Sequence, residues 1–169
     1  HKKKGGKRAV LIGAKLSGVN LKEADLRGAI LKSTSFYRAD LRGADLRYGD
    51  LSWANLAEVD LSGANLRGAI FHTAYLKKAK LLKVDLAEVS LGGAVLCGAD
   101  LTGANLDGAD LIRTDLTGAI LTETCLDPVN VPNGDVEGFR VEDGWAYGFR
   151  TNGSPVVGGP GYEAGKTYE

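Results

Sequence analysis

The 169-residue chain contains no methionine, only two cysteines and only four prolines. Two cysteines exclude a disulfide-stapled scaffold. All four prolines follow residue 127, so no residue lacking a backbone donor interrupts the preceding sequence. No run of about 18 apolar residues is present, which excludes a membrane-spanning helix and predicts no membrane partner. The missing methionine leads us to expect that His1 is not a native start.

Net charge is also absent, because 21 Lys and Arg residues balance 21 Asp and Glu residues. This balance argues against a uniformly basic nucleic-acid binder and against a uniformly acidic DNA mimic. The charges are nevertheless unevenly distributed: residues 1–83 hold 17 basic and 7 acidic side chains, a net +10. Residues 84–169 hold 4 and 14, a net −10. A rod built in sequence order would therefore have a basic half and an acidic half.

A five-residue repeat dominates what is present. Leucine occupies every fifth position from Leu11 to Leu126, except at Phe36 and Phe71. A small residue, most often alanine, stands two positions before each leucine, and Asp or Asn frequently stands directly before it. Glycine fills 11 of the 24 positions two residues after the leucine. The repeating unit is Ala-(Asp/Asn)-Leu-x-Gly.

A period of five suits neither an α-helix nor a β-strand. On an α-helix five residues rotate by about 500°, so successive leucines would be distributed over all faces of the helix. On a strand an odd spacing alternates the leucines between two faces. We infer a chain that turns a corner every five residues, sends its leucine and small residue inward, and stacks its coils about 4.8 Å apart. The Asp or Asn is expected to point outward and build the corner. The period alone leaves three-sided and four-sided coils open.

The unbroken pattern over residues 9–131 resembles the pentapeptide-repeat family. The resemblance implies an all-β fold, a right-handed quadrilateral β-helix of about six 20-residue coils. Residues 1–8 are expected to form a disordered basic tail.

Residues 132–169 are expected to form a small β-rich C-terminal cap over the open last coil, and the natural chain is expected to continue beyond residue 169. This segment loosely resembles a module without assigned activity that follows pentapeptide repeats in other proteins. The sequence predicts two short strands around Glu142-Asp143-Gly144. It predicts a loop at Asn152-Gly153-Ser154-Pro155.

Stacking at 20 residues would place Arg27, Arg47 and Arg67 in one outer ladder. Such a ladder is typical of phosphate binding, but Asp25 and Asp45 stand beside it, and we favour interleaved surface ion pairs. Tyr37, Tyr48, Trp53 and Tyr75 are expected to point outward, and exposed aromatic residues favour interfaces, although ordinary surface scatter explains them equally well. The candidate interaction surface consists of Arg27, Arg42, Arg47, Arg67, Lys77, Tyr37, Tyr48 and Trp53.

Catalysis has one weak candidate, in which Ser52 and His72 lie one coil apart and Asp50 lies beside Ser52. A flat face without an oxyanion hole gives these residues no catalytic environment, and we predict no enzyme activity. No spacing of His and Cys residues indicates a metal site, and no phosphate-binding loop motif is present, so no metal or cofactor is predicted.

The sequence therefore predicts a non-catalytic rigid scaffold for an unidentified protein partner, cytoplasmic, and either monomeric or weakly associated end to end. Two alternatives stay open. The first is binding of a polyanion such as a nucleic acid through the basic N-terminal half. The second follows from the resemblance, since some family members are acidic DNA mimics that bind gyrase. The zero net charge and the basic N-terminal half depart from that pattern.

Overall fold

Parallel pairing at a spacing of 20 residues organises the chain. The computed structural model describes residues 8–124 and three short strands between residues 141 and 157. Val10 pairs with Ile30 and Ile30 with Asp50, and equivalent single-residue bridges recur every five residues up to the pair of Asp100 and Ile120. Four bridges in each 20-residue step give a four-sided coil. The three-sided alternative would pair residues 15 apart and is excluded.

Each corner is a tight turn that follows the leucine. The N–H of Ala14 donates to the carbonyl of Leu11 at 3.1 Å, which leaves Ile12 and Gly13 at the centre of the turn. Gly13 has a φ of +66°, as the third residue of a type II turn requires. The same position has a positive φ throughout the described coil, and it holds glycine at 11 sites and another residue at 12. This conformation explains why glycine recurs there in the sequence.

The Asp or Asn before each leucine fixes the adjacent corner through its side chain. The Asp40 Oδ1 atom, for example, accepts the backbone N–H of Arg42 at 3.1 Å. The prediction of turn-building side chains is confirmed, although these residues lie in the bridged segment rather than in the turn itself. The same bond forms at Asn20, Asp25, Asp40, Asp45, Asp50, Asn55, Asp60, Asn65, Asp85, Asp100, Asn105, Asp110 and Asp115.

The inward columns form a continuous apolar core. Phe36, Phe71 and the leucines from Leu31 to Leu111 are buried, and the alanines at the small position lie between them. Each buried leucine contributes about 1.5–3 kcal/mol through the surface that it removes from water. In the first coil Leu11 and Leu16 are only partly buried, because no earlier coil covers them within the described residues.

Threonine replaces alanine at three inward positions, and its hydroxyl forms a hydrogen bond at each of them. The Thr114 hydroxyl donates to the carbonyl of Leu91 at 2.8 Å, and Thr34 and Thr124 make the same bond to Leu11 and Leu101. The hydroxyl therefore reaches the preceding coil, and the core holds a polar atom without an unpaired donor.

Beyond the coil the structure describes three strands, β1 (Val141–Glu142), β2 (Trp145–Phe149) and β3 (Pro155–Val157). They form an antiparallel sheet in the order β1-β2-β3. The two predicted strands are present, but the predicted loop was wrong at Pro155, which begins β3 and pairs with Phe149. Proline is tolerated at the start of an edge strand, and two valines follow it. The boundaries at residues 1–8 and 131–132 lie largely outside the described residues, and the capping role stays a prediction.

Candidate interaction surface

The coil has four outer sides, which we number by their first residues. The first side starts at residues 10 and 12, the second at 15 and 17, the third at 20 and 22, and the fourth at 25 and 27, and each continues every 20 residues. The candidate residues do not form one surface. The fourth side carries Arg27, Arg47 and Arg67, and Tyr48 lies at the corner that follows it. The third side carries Arg42. The second side carries Tyr37 and Lys77, and Trp53 lies at the corner before it.

The arginine ladder on the fourth side is neutralised by carboxylates of the same turn. The Arg27 guanidinium donates to Asp25 through Nε at 2.8 Å and through Nη2 at 2.7 Å. Arg47 donates to Asp45 in the same way, through Nε at 2.9 Å and through Nη2 at 2.7 Å. The Asp45 Oδ2 atom also lies 3.6 Å from Arg27 Nε, so the two pairs interleave as expected.

This pairing changes how the carboxylates titrate. The two hydrogen bonds from Arg27 are the main reason why the pKa of Asp25 falls to about 2. The guanidinium of Arg42 lowers the pKa of Asp40 to about 2 in the same way, through Nη2 at 2.6 Å from Oδ2. Both carboxylates therefore stay ionised, and they hold their arginines, at any physiological pH.

Arg67 has a different partner because Asn65 stands where the ladder has Asp25 and Asp45. The Asn65 side chain accepts only the backbone N–H of Arg67, at 3.2 Å. The guanidinium instead reaches one coil further and donates to Glu88 Oε1 at 3.0 Å. All four candidate arginines are therefore ion-paired, so none of them is free for a phosphate chain.

A second group of candidates lies on and beside the second side. Trp53 is 56% exposed and Tyr75 is 41% exposed. Tyr75 pairs with Asn55, two residues after Trp53. Tyr37 stacks in the neighbouring column, in which Ala57 is nearly buried and separates it from Lys77. Tyr37, Trp53 and Tyr75 therefore lie in three adjacent columns, within one coil of Asn55 and Ala57.

Two cations hold the aromatic rings of this group. The Arg38 guanidinium lies over the Tyr37 ring at 4.8 Å and pairs with Glu58 at 2.8 Å. The Lys32 ammonium lies 5.7 Å from the centre of the Trp53 ring. Neither Arg38 nor Lys32 is among the residues that the sequence predicts for this surface. Arg38 directly follows Tyr37, whereas the pairing of Lys32 with Trp53 follows from the 20-residue register and the corner between them.

The weak catalytic candidate does not assemble. The Ser52 hydroxyl is buried and donates to Asp50 Oδ1 at 2.7 Å. His72 points to the next coil instead, where its Nδ1 lies 3.1 Å from the position that a Cβ on Gly92 would occupy. Within residues 8–124 no hydrogen bond joins His72 to Ser52, and no group of His, Cys, Asp and Glu side chains is arranged to hold a metal ion.

These features define a β-helical solenoid with a packed apolar interior and four outer sides. The family model for pentapeptide repeats (8 copies) matches residues 9–47, 34–72, 54–93 and 79–118. The chain belongs to the pentapeptide-repeat family. No curated protein matches the sequence.

Solved structures of the same family are similar to the chain. HetL, a pentapeptide-repeat protein involved in heterocyst differentiation regulation from the cyanobacterium Nostoc sp. strain PCC 7120, is 38% identical with a TM-score of 0.62. The similarity covers 72% of this chain and 59% of HetL. Rfr23 from the cyanobacterium Cyanothece 51142 is 30% identical over 70% of this chain and 91% of its own, with a TM-score of 0.36. QnrB1, a plasmid-mediated fluoroquinolone resistance protein, is 19% identical over 70% of this chain and 77% of its own, with a TM-score of 0.45.

The described part of the chain contains no helix that is long and apolar enough to cross a bilayer.

Proposed function

We propose that the protein is a non-catalytic rigid scaffold that presents its outer sides to a protein partner. The observation that carries this proposal is the closed interior. From Leu31 to Leu111 every inward leucine or phenylalanine is buried, so the described coil leaves no internal space for a substrate. Binding then falls to the outer sides, as in other solenoids with extended surfaces.

The rigidity of these sides follows from their bonding. Each coil is joined to the next by backbone hydrogen bonds on every side, such as Leu51 N–H to the Ile70 carbonyl at 2.7 Å. Polar side chains on these sides already have partners: Ser52 donates to Asp50, and Arg27 and Arg47 bind Asp25 and Asp45. A preorganised surface loses little entropy when it binds, which favours a docking role.

The proposal includes the finer architecture. We take the coil to be right-handed, with six coils over residues 9–131 and residues 132–169 as a cap, in a cytoplasmic protein that is monomeric or weakly associated end to end. The similarity to HetL, which is involved in regulating heterocyst differentiation, supports a regulatory rather than an enzymatic role for such a scaffold.

Pull-down with in-situ cross-linking, at two salt concentrations, tests the scaffold proposal. We expect a defined protein partner whose cross-links map to outward residues of the coil. Retention that survives high salt would favour docking by packed surfaces over charge attraction. A partner that cross-links only through the termini, or turnover of a substrate by the purified protein, would overturn the proposal.

Polyanion binding is the less favoured candidate, because Arg27, Arg42, Arg47 and Arg67 are all paired. It predicts heparin retention that falls steeply with salt. Gyrase binding by DNA mimicry is also disfavoured, since a DNA mimic needs an acidic surface and residues 1–83 carry a net +10. Inhibition of gyrase supercoiling by the purified protein would restore that candidate.

A further inference from the structure

The second side differs from the other three sides in its charge. Across residues 35–97 its outward positions are Ser35, Tyr37, Asn55, Ala57, Tyr75, Lys77, Val95 and Cys97, none of which is acidic. Over the same coils each of the other sides carries at least one aspartate, such as Asp50, Asp60 and Asp85. The second side therefore lacks acidic residues over residues 35–97, and its first acidic residue beyond this stretch is Asp115, which pairs with Val95.

Lys77 supplies that charge. It is exposed, and within residues 8–124 no carboxylate lies in salt-bridge contact with it, unlike Arg27, Arg42, Arg47 and Arg67. The coil neighbours in its column are the small residue Ala57 and the thiol Cys97. Two acidic residues around this side already have partners: Glu58 binds Arg38, and Asp115 accepts a hydrogen bond from Cys97.

Two of the aromatic residues on and beside the second side, Trp53 and Tyr75, are exposed, and Tyr37 is half-buried. Trp53 and Tyr75 flank Asn55, and the Tyr37 ring is covered by Arg38, which Glu58 in turn fixes. Trp, Tyr and Arg are the residues that dominate binding energy at protein interfaces. We define the aromatic patch as Tyr37, Trp53, Asn55, Ala57, Tyr75 and Lys77.

We propose that the aromatic patch binds a segment of a partner protein in which acidic residues stand next to apolar ones. The apolar side chains would pack on Trp53 and Tyr75, and an acidic side chain would pair with Lys77. This inference rests on the proposed scaffold function and names the chemistry of its partner.

A nucleic acid fits the patch less well. A strand needs several uncompensated cations along its phosphates and free ring faces for its bases. Here Lys77 is the unpaired cation of the patch within the described residues, and the Tyr37 ring is already covered by Arg38. Lys32 is likewise shared between the Trp53 ring and Asp50, at 3.0 Å from the carboxylate.

A random-peptide phage library, selected on the full chain, tests the proposal. Selected peptides are resynthesised and titrated by fluorescence anisotropy against the wild type and single variants. We expect enrichment of Asp and Glu beside Leu, Phe or Trp. We expect Trp53→Ala, Tyr75→Ala and Lys77→Glu each to weaken binding by about tenfold or more, and Lys77→Arg to retain it.

Two variants serve as matched controls. Tyr48 is an exposed aromatic residue at another corner with a φ of 57°, against 58° for Trp53, so Tyr48→Ala carries the same backbone consequence outside the patch. Lys83→Glu reverses an exposed lysine at a different corner of the same coil. Both are expected to bind the selected peptides as the wild type does, and circular dichroism checks that every variant is folded.

The outcomes separate this inference from the scaffold function. Peptides whose binding is lost in Tyr48→Ala but not in Trp53→Ala would overturn the patch while leaving the scaffold standing. Neutral or basic peptides on the patch would overturn the acidic partner. Oligothymidylate that binds the wild type and is lost in Lys77→Glu would replace the protein segment with a nucleic acid. The absence of any selected peptide would overturn the patch, and the scaffold would then stand or fall by the cross-linking of a partner to another side of the coil.

Discussion

One edge of the Tyr48 ring lies close to Gly68, the residue one coil further along the same corner. A methyl group built on Gly68 would lie 2.8 Å from both Cδ1 and Cε1 of that ring. Gly68 therefore meets two requirements at once: its φ of +63° and the close approach of an aromatic ring. Tyr48 itself occupies the left-handed region with a φ of 57°, so the contact joins two residues at equivalent corners.

Replacing Gly68 with alanine is expected to destabilise the coil by two separable effects. The left-handed backbone costs about 1–2 kcal/mol. The Tyr48 ring is 67% exposed and must rotate away from the added methyl group, which adds about 0.5–1.5 kcal/mol. Gly63→Ala is the matched control, because Gly63 has a φ of +67° but no atom within 4 Å of the added methyl group. Urea unfolding measures both variants. The double variant Gly68→Ala with Tyr48→Ala should recover the clash component, and equal destabilisation by Gly63→Ala and Gly68→Ala would contradict this account.

The contact between Tyr48 and Gly68 could not be predicted from the five-residue period. The five-residue period predicts which residues point inward and which residues share a corner, because backbone geometry repeats. The period therefore predicted the buried columns and the side-chain bonds from Asp or Asn to the backbone of the adjacent corner. The four-sided register came from the family resemblance, since the period alone left it open.

The period does not predict which partner a long side chain chooses. Arg67 reaches Glu88 in the next coil, whereas Arg47 binds Asp45 in its own turn. Their local sequences differ in few positions, among them Asn65 in place of Asp45. Coils about 4.8 Å apart put both choices within reach of an arginine. The candidate surface was therefore predicted as a set of outward residues, but its division between the fourth side and the aromatic patch was not.

The core columns give the largest expected effects on stability. Leu56→Ala should lower the free energy of unfolding by about 2–5 kcal/mol, because it opens a cavity at a fully buried position. Ala54→Leu should lower it by about 1–3 kcal/mol through overpacking. Ile112→Ala, at an exposed outward position, is the control and should change it little. Chemical denaturation measures the free energy of unfolding of each variant. An unchanged free energy of unfolding in Leu56→Ala would contradict the inward assignment of that column.

The ion pairs of Asp25 and Asp40 predict a loss of stability in acid. The pKa of Asp40 falls from 3.8 to about 2 in the folded protein, mainly through the hydrogen bonds from Arg42. A lowered folded pKa means that the pair stabilises the fold fully above 3.8 and that this contribution is lost as the pH falls toward 2. Asp40→Asn should flatten the pH dependence of Tm over this window. The variant keeps the turn, because Asn occupies the equivalent position at Asn20.

Asp107→Asn is the control for this pH series, since the Asp107 side chain accepts no hydrogen bond within residues 8–124. Its Tm profile should match that of the wild type. An NMR titration of the Asp40 carboxyl carbon measures the pKa directly, and a midpoint near 3.8 would contradict the pairing with Arg42.

Cys97 is expected to be a slow nucleophile. Its Sγ lies 2.9 Å from Asp115 Oδ2, and donation to this carboxylate, with partial burial, raises the pKa of the thiol. A higher pKa leaves less thiolate at pH 8, so alkylation by iodoacetamide should be slower than that of free cysteine. Asp115→Asn removes the negative charge and should accelerate it, whereas Asp110→Asn on the first side should not. Mass spectrometry of the Cys97 peptide separates its reaction from that of Cys125, and equal rates in the wild type and Asp115→Asn would show that the carboxylate does not hold the thiol proton.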